Sequence, residues 1–305
     1  VVDFFNLSFN KKKDVIKLVL LFLFIFVNNA SASTINEENK PTIYFDYLPF
    51  VETYETQQAK NAASAATLLF MQNITRHAAL EFLPTIRLLA ELDVDTEQSK
   101  CALFKLKTAK RLDNYYFSLP ISFLSTNRLY LRPGMQALSF DLLNEDGDIK
   151  NITSLFNDNQ NTILFWQDIS YGEAVDAALR KIPSKNKIII QGLTSHGSSA
   201  KMIQRGRADY AILFPSEVVE LENETQAFNL LSYRIDGTEP ISTGHLMCNK
   251  TDASRAWLDK FNGILVELYE SPEFIKANTF NINSDEKILV LNAINQLKSD
   301  ILTSK

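Results

Sequence analysis

The chain has 305 residues, 46% of them hydrophobic, with 9 Gly and 9 Pro, a composition that excludes disordered and collagen-like chains. Its length allows two units, each large enough to bury a core. Thirty-one Lys and Arg against 36 Asp and Glu give −5, so there is no basic excess to hold a nucleic-acid backbone.

That charge is unevenly placed. Lys11, Lys12, Lys13 and Lys17 precede an apolar run from Leu18 to Val27, and Asn28-Asn29-Ala30-Ser31-Ala32 ends in small residues. This order is that of a secretory signal peptide over residues 1–32, cut after Ala32, with Val1 to Asn10 read as an extension ahead of the true start. Ten apolar residues are too few to span a hydrocarbon layer of roughly 30 Å, which leaves an uncleaved anchor as the alternative. Removing four lysines and two aspartates with the leader leaves −7 over 273 residues, an acidic, exported chain. Cys101 and Cys248 then meet an oxidising compartment. Their spacing fits no metal motif, and with three scattered histidines no metal or other cofactor is expected.

The first expected strand is Thr42 to Phe45, followed by an aromatic-rich turn from Tyr47 to Phe50. Gln57 to Met71 and Leu83 to Leu92 read as helices, and Cys101 to Phe104 as a strand running into a polar turn, Lys107 to Arg111. Tyr115 to Pro120 and Arg128 to Arg132 are extended, and Pro133-Gly134 marks a break. Strand and helix then alternate, which predicts parallel sheet crossed by helices. The strands are Thr162 to Trp166, Lys187 to Gln191 and Asp209 to Phe214; the helices are Tyr171 to Lys181, with Ser170 as N-cap, and Ser199 to Arg205. Leu246 to Cys248 is a later strand, and Ala253 to Leu268 and Leu289 to Ile301 are terminal helices.

No catalytic motif emerges. Gly192 to Gly197 contains Ser195 and His196 but lacks the Gly-x-Ser-x-Gly spacing, and no phosphate-binding glycine loop occurs. His77 and His245 read as surface or internally satisfied histidines. Three features suit binding, each with a plainer alternative. Arg111, beside Thr108, offers a planar fork to a carboxylate, or else a surface salt bridge. Ser170, Tyr171 and Gly172, where a strand turns into a helix, offer backbone N–H groups to an anion, or simply cap the helix. Tyr47 and Phe50 form an aromatic wall, or pack in a core.

Taken in order, several segments resemble the bacterial extracellular solute-binding proteins of the type II periplasmic fold, the family typified by amino-acid-binding components of ABC importers. The resemblance spans roughly residues 40–276. It rests on Tyr47-Leu-Pro-Phe50, Lys107-Thr-Ala-Lys-Arg111, Tyr116-Phe-Ser-Leu-Pro120, Ser170-Tyr-Gly172, Met202 to Tyr210 with Gly206-Arg-Ala-Asp209, and Cys248-Asn-Lys-Thr251. It implies an α/β protein of two lobes, each a mostly parallel sheet flanked by helices, joined by two crossing segments. Lobe 1 would comprise 40–130 and 243–280, lobe 2 134–238, and 281–305 a C-terminal helix or tail. The crossings would fall near Tyr130–Gly134 and Gly237–Gly244.

The resemblance assigns Arg111 and Thr108 to a ligand carboxylate, Ser170 and Tyr171 to a helix N-terminus facing the cleft, and Tyr47 and Phe50 to an aromatic wall. Two departures follow. Phe214 stands where amino-acid binders carry an Asp for the ligand ammonium, and Phe104 and Leu106 stand where small hydroxyl residues are usual. Both make the cleft more apolar and argue against a standard α-amino acid. Asp209 reads as a structural turn or capping residue. The resemblance also puts Cys101 and Cys248 on lobe 1 strands, where a disulfide would form, two buried thiols being the alternative. The implied protein is a monomeric, non-catalytic periplasmic binder of a carboxylate-bearing or aromatic solute. Its partner would be an inner-membrane ABC permease or a sensor domain, not nucleic acid. The alternatives are an enzyme on the same scaffold, like cyclohexadienyl dehydratases, or a binding module with a vestigial cleft.

Overall fold

Thr42 to Phe45 forms β1 because its aromatic and β-branched residues suit a strand covered on both faces, and all four are buried. The computed structural model of the protein describes residues 40–303 except 75–76, 157–159, 168, 192–196 and 226–229. The expected signal peptide and the Ser195-His196 turn lie outside the described residues.

β1 pairs in parallel with β2 (Ala79–Phe82) and β3 (Lys100–Lys105). Parallel neighbours need crossovers, and helices supply them. Between β1 and β2 run α1 (Leu48–Thr56) and α2 (Ala62–Ile74), and between β2 and β3 runs α3 (Thr85–Leu92). A reciprocal cap starts α2: Ser64 N donates to Asn61 Oδ1 at 2.9 Å and Asn61 N to Ser64 Oγ at 3.0 Å. After β3 come α4 (Ala109–Asn114), β4 (Tyr115–Phe117) and β5 (Ser122–Ser125). The long β11 (Ile241–Asn249) pairs antiparallel with β3, β4 and β5. Helices α8 (Asp252–Leu268), α9 (Pro272–Asn278) and α10 (Ser284–Thr303) then pack back, so that Leu258, Phe261, Phe274, Val290 and Ile294 join Ile43, Phe70 and Leu246 in the first core. Cys101 and Cys248 face each other across the β3–β11 pair and are joined by a disulfide.

The second sheet runs β10-β6-β9-β7-β8. Its strands are β6 (Arg128–Leu131), β7 (Ile163–Trp166), β8 (Lys187–Ile190), β9 (Tyr210–Leu213) and β10 (Ser232–Tyr233). Helix α5 (Glu173–Lys181) connects β7 to β8, α6 (Gly197–Gln204) connects β8 to β9, and α7 (Pro215–Thr225) follows β9. Asp209 anchors this sheet: it accepts from Arg132 Nε at 2.9 Å and Thr162 N at 2.8 Å. Burial pushes its pKa up, but those bonds outweigh it and hold the carboxyl below its ordinary value. Its role is therefore structural.

The sheets differ from the expectation in one respect. Each is mixed rather than mostly parallel, because β6 and β11 enter their sheets directly from the other sheet and run antiparallel to their neighbours. The chain also leaves the first sheet earlier than expected: Arg128 already pairs with Leu213 of the second sheet, so the first crossing lies at 126–127. Pro133-Gly134 is a turn beyond it, with Gly134 at φ 82°.

Candidate functional site

A cavity of about 200 Å³ lies between the two sheets, lined by residues of both. From the first side come Tyr47, Phe50, Phe104 and Arg111, and from the second Trp166, Ile169, Phe214 and Glu217. Local structure explains each placement.

Tyr47 and Phe50 were expected on a turn. They instead flank the start of α1, where Pro49 sits in the first turn with its φ already suited to helix. Their rings meet edge to face at 4.7 Å, and Phe50 packs on Phe104 at 5.1 Å between centroids. Phe104 has φ 54°, a left-handed conformation that costs a residue with a Cβ about 1–3 kcal/mol. That turn breaks the alternation of β3, so Leu103, Phe104, Lys105 and Leu106 all reach the cleft.

Arg111 lies in α4, the helix that replaces the expected polar turn. Its Nη1 donates to Leu106 O at 2.9 Å, and among the described residues no carboxylate stands within ion-pair distance of it. Burial of the guanidinium pushes its pKa down, while Asp176 and Asp46 act in the opposite sense. Thr108 is not a lining residue. It is the N-cap of α4, its hydroxyl accepting from Arg111 N at 3.4 Å, so it positions Arg111 rather than facing a ligand.

The helix N-terminus near Ser170 is already occupied by an internal acid. Asp176 accepts from Ser170 Oγ at 2.6 Å and from Tyr171 N at 2.8 Å. Helix α5 begins two residues later than expected, with Gly172 as N-cap at φ 94°, a conformation open to glycine. Ser170 lines the cleft, but Tyr171 does not. Its ring is buried in the second core, its hydroxyl accepts from Trp166 N at 2.9 Å, and it stacks on Phe214 at 6.4 Å. Burial pushes its phenol pKa up.

Sequence reasoning missed three charged features of the cleft. Lys105 Nζ and Asp46 Oδ2 form a largely buried ion pair at 2.5 Å, and Lys60 pairs with Glu52 at 3.3 Å. Glu217 is a further cleft-lining carboxylate, three residues after Phe214. It is buried at the start of α7, where its Oε1 accepts the Phe214 N–H at 3.1 Å and so caps the helix. The signal for it was the Pro215 start of a helix, where an acid at the third position reaches back. Trp166 was seen only as a strand end; its Nε1 donates to Ser199 Oγ at 2.8 Å. Among the described residues no group of His, Cys, Asp or Glu could hold a metal.

These two sheets with flanking helices, joined by two crossings over a lined cleft, define the two-lobed type II periplasmic-binding fold. Solved structures of that fold superimpose over most of this chain. EhuB in complex with hydroxyectoine matches with a TM-score of 0.53 and 19% identity, over 79% of this chain and 87% of its own. A mutant of ArgBP from T. maritima matches with a TM-score of 0.51 and 15% identity, over 80% and 96%. A structure from work on glutathione import via GshT and the cystine importer TcyBC of Streptococcus mutans gives 0.50 and 14%, over 78% and 93%. No protein-family model and no curated protein matches the sequence. At these identities the likeness defines the fold.

Proposed function

We propose that the protein is a non-catalytic solute-binding protein that holds a small carboxylate with an aromatic or apolar body between its lobes. The carrying observation is Arg111: a cleft-lining guanidinium with one N–H bonded to Leu106 O and no described carboxylate in ion-pair range. Its planar fork suits a bidentate carboxylate in a partly desolvated site. Aromatic rings reach the cleft from both sides, with Tyr47, Phe50 and Phe104 on the first and Trp166 and Phe214 on the second. The names of the structures sharing the fold support solute capture as the class of activity. On this reading the lobes are 40–125 with 241–303, and 128–238, residues 1–32 are a leader, and the mature protein works outside the inner membrane with a permease or sensor as partner.

A thermal-shift screen of small carboxylic acids tests this directly, because a ligand of the native state raises stability by RT ln(1 + [L]/Kd). Acids with an aromatic or branched body are expected to raise the midpoint, and matched amides or amines are not. A screen in which no carboxylate shifts the midpoint overturns the reading. Glu217 gives a dehydratase-like enzyme a foothold, since it is a buried cleft acid. Here its Oε1 accepts the Phe214 N–H and caps α7, a role that the helix start accounts for without chemistry. Product formed from a prephenate-like substrate, and lost in Glu217→Gln, would establish the enzyme instead.

A further inference from the structure

Three buried side-chain oxygens in one short segment, Ser122 Oγ, Ser125 Oγ and Asn127 Oδ1, have no hydrogen-bond partner among the described residues. That segment enters the first crossing. Of the three residues only Ser122 lines the cleft. Strand alternation sends Phe123 into the first core and leaves Ser122 and Leu124 on the cleft face. Ser122 itself is 0% exposed.

Opposite Ser122 in register stands Gly244. A Cβ there would meet Ser122 Oγ at 2.5 Å and Phe104 Cδ1 at 2.8 Å. The absent side chain therefore lets the hydroxyl and the ring share one spot of the cleft floor. Phe104 is also the residue held in the left-handed conformation. A buried hydroxyl without a partner is unfavourable, and such groups in native proteins ask for an explanation. The Phe104 ring is the side chain that lies beside this one at the cleft floor.

We propose that Ser122 is a specificity-determining residue, its hydroxyl taking an uncharged hydrogen-bonding group of the solute, a hydroxyl or carboxamide, when Phe104 turns aside. This rests on the reading that the cleft holds a small carboxylate. The neighbouring charges set the class of group. Lys105 is paired with Asp46 and Lys60 with Glu52, so neither lysine draws a second carboxylate to this floor. A serine hydroxyl donates and accepts, and so suits a neutral group. The solute is then a carboxylate at one end and a neutral polar group at the other.

The test uses matched acids with and without a distal hydroxyl or amide: 3-(4-hydroxyphenyl)propionate against 3-phenylpropionate, and 6-hydroxyhexanoate against hexanoate. Affinities are measured for the native protein, Ser122→Ala and Arg111→Gln. The native protein is expected to prefer at least one hydroxylated acid by about tenfold. Ser122→Ala should bring that pair within about twofold while leaving the plain acid unchanged. Its ligand-free melting midpoint should hold or rise, since an unpartnered hydroxyl is removed. Arg111→Gln should weaken both members alike. A preference that survives Ser122→Ala, the absence of any preference, or a large fall in ligand-free stability each overturns the proposal and leaves the carboxylate reading standing. Unchanged binding in Arg111→Gln, or no binding of any acid, overturns that reading and this proposal with it.

Discussion

Lys105 Nζ lies 2.5 Å from Asp46 Oδ2, joining the end of β3 to the residue after β1 at the floor of the cleft. The side chains are 10% and 16% exposed, so the pair is largely desolvated. Removing one partner leaves the other charge buried. Asp46→Ala is expected to cost about 2–4 kcal/mol, whereas the double change Asp46→Leu with Lys105→Met should recover most of it. Urea unfolding of both variants checks this, and a single variant as stable as the double would contradict it.

The Cys101–Cys248 disulfide closes a chain separation of 147 residues within the first sheet. Both cysteines are fully buried, so reductant should act on the unfolded rather than the native chain. In the chain-entropy model the bond contributes about 4–5 kcal/mol. The Cys101→Ala, Cys248→Ala double variant is expected to unfold at lower denaturant by that margin. Equal midpoints for the two proteins would show that the bond does little.

His245 titrates against stability. Its Nδ1 lies 2.8 Å from Ser118 O and its Nε2 2.9 Å from Thr243 Oγ1, one residue from the cleft-lining Gly244. Burial pushes its pKa down to about 4, and Lys107 adds to the fall, against the Ser118 bond. The unfolded chain takes up this proton below about 6.5, while the folded one resists until about 4. The stabilisation is therefore complete above pH 6.5 and is lost as pH falls toward 4, by about 3 kcal/mol across the window. The slope of unfolding free energy with pH should flatten there in His245→Gln. An identical slope would mean that other groups carry the acid sensitivity.

The sequence exposed the strands best, since Ile163 to Trp166 and Tyr210 to Leu213 are apolar runs between turns. Helices set by capping were less visible: α1 begins at an aromatic turn and α4 at Thr108, and neither has a long apolar stripe. The antiparallel place of β11 depends on contacts about 140 residues apart, which local pattern cannot express. In the cleft, Arg111, Tyr47, Phe50, Ser170 and Phe214 were readable because each sits in a motif. Thr108 and Tyr171 do not line the cleft, because each, beside a lining residue, turns its side chain to its own helix or core. Lys105, Asp46 and Glu217 were invisible because their roles arise from partners distant in sequence or from a helix start that looked like a strand end.

The central claim is that Arg111 anchors the carboxylate of a bound solute. Titration calorimetry of the native protein and Arg111→Gln, with the tightest acid from the screen, measures it most directly. The account predicts a loss of about 30–100-fold in affinity, as expected for a charge-assisted pair in a partly buried site, with the melting midpoint of the ligand-free variant little changed. Equal affinity in the two proteins would contradict it.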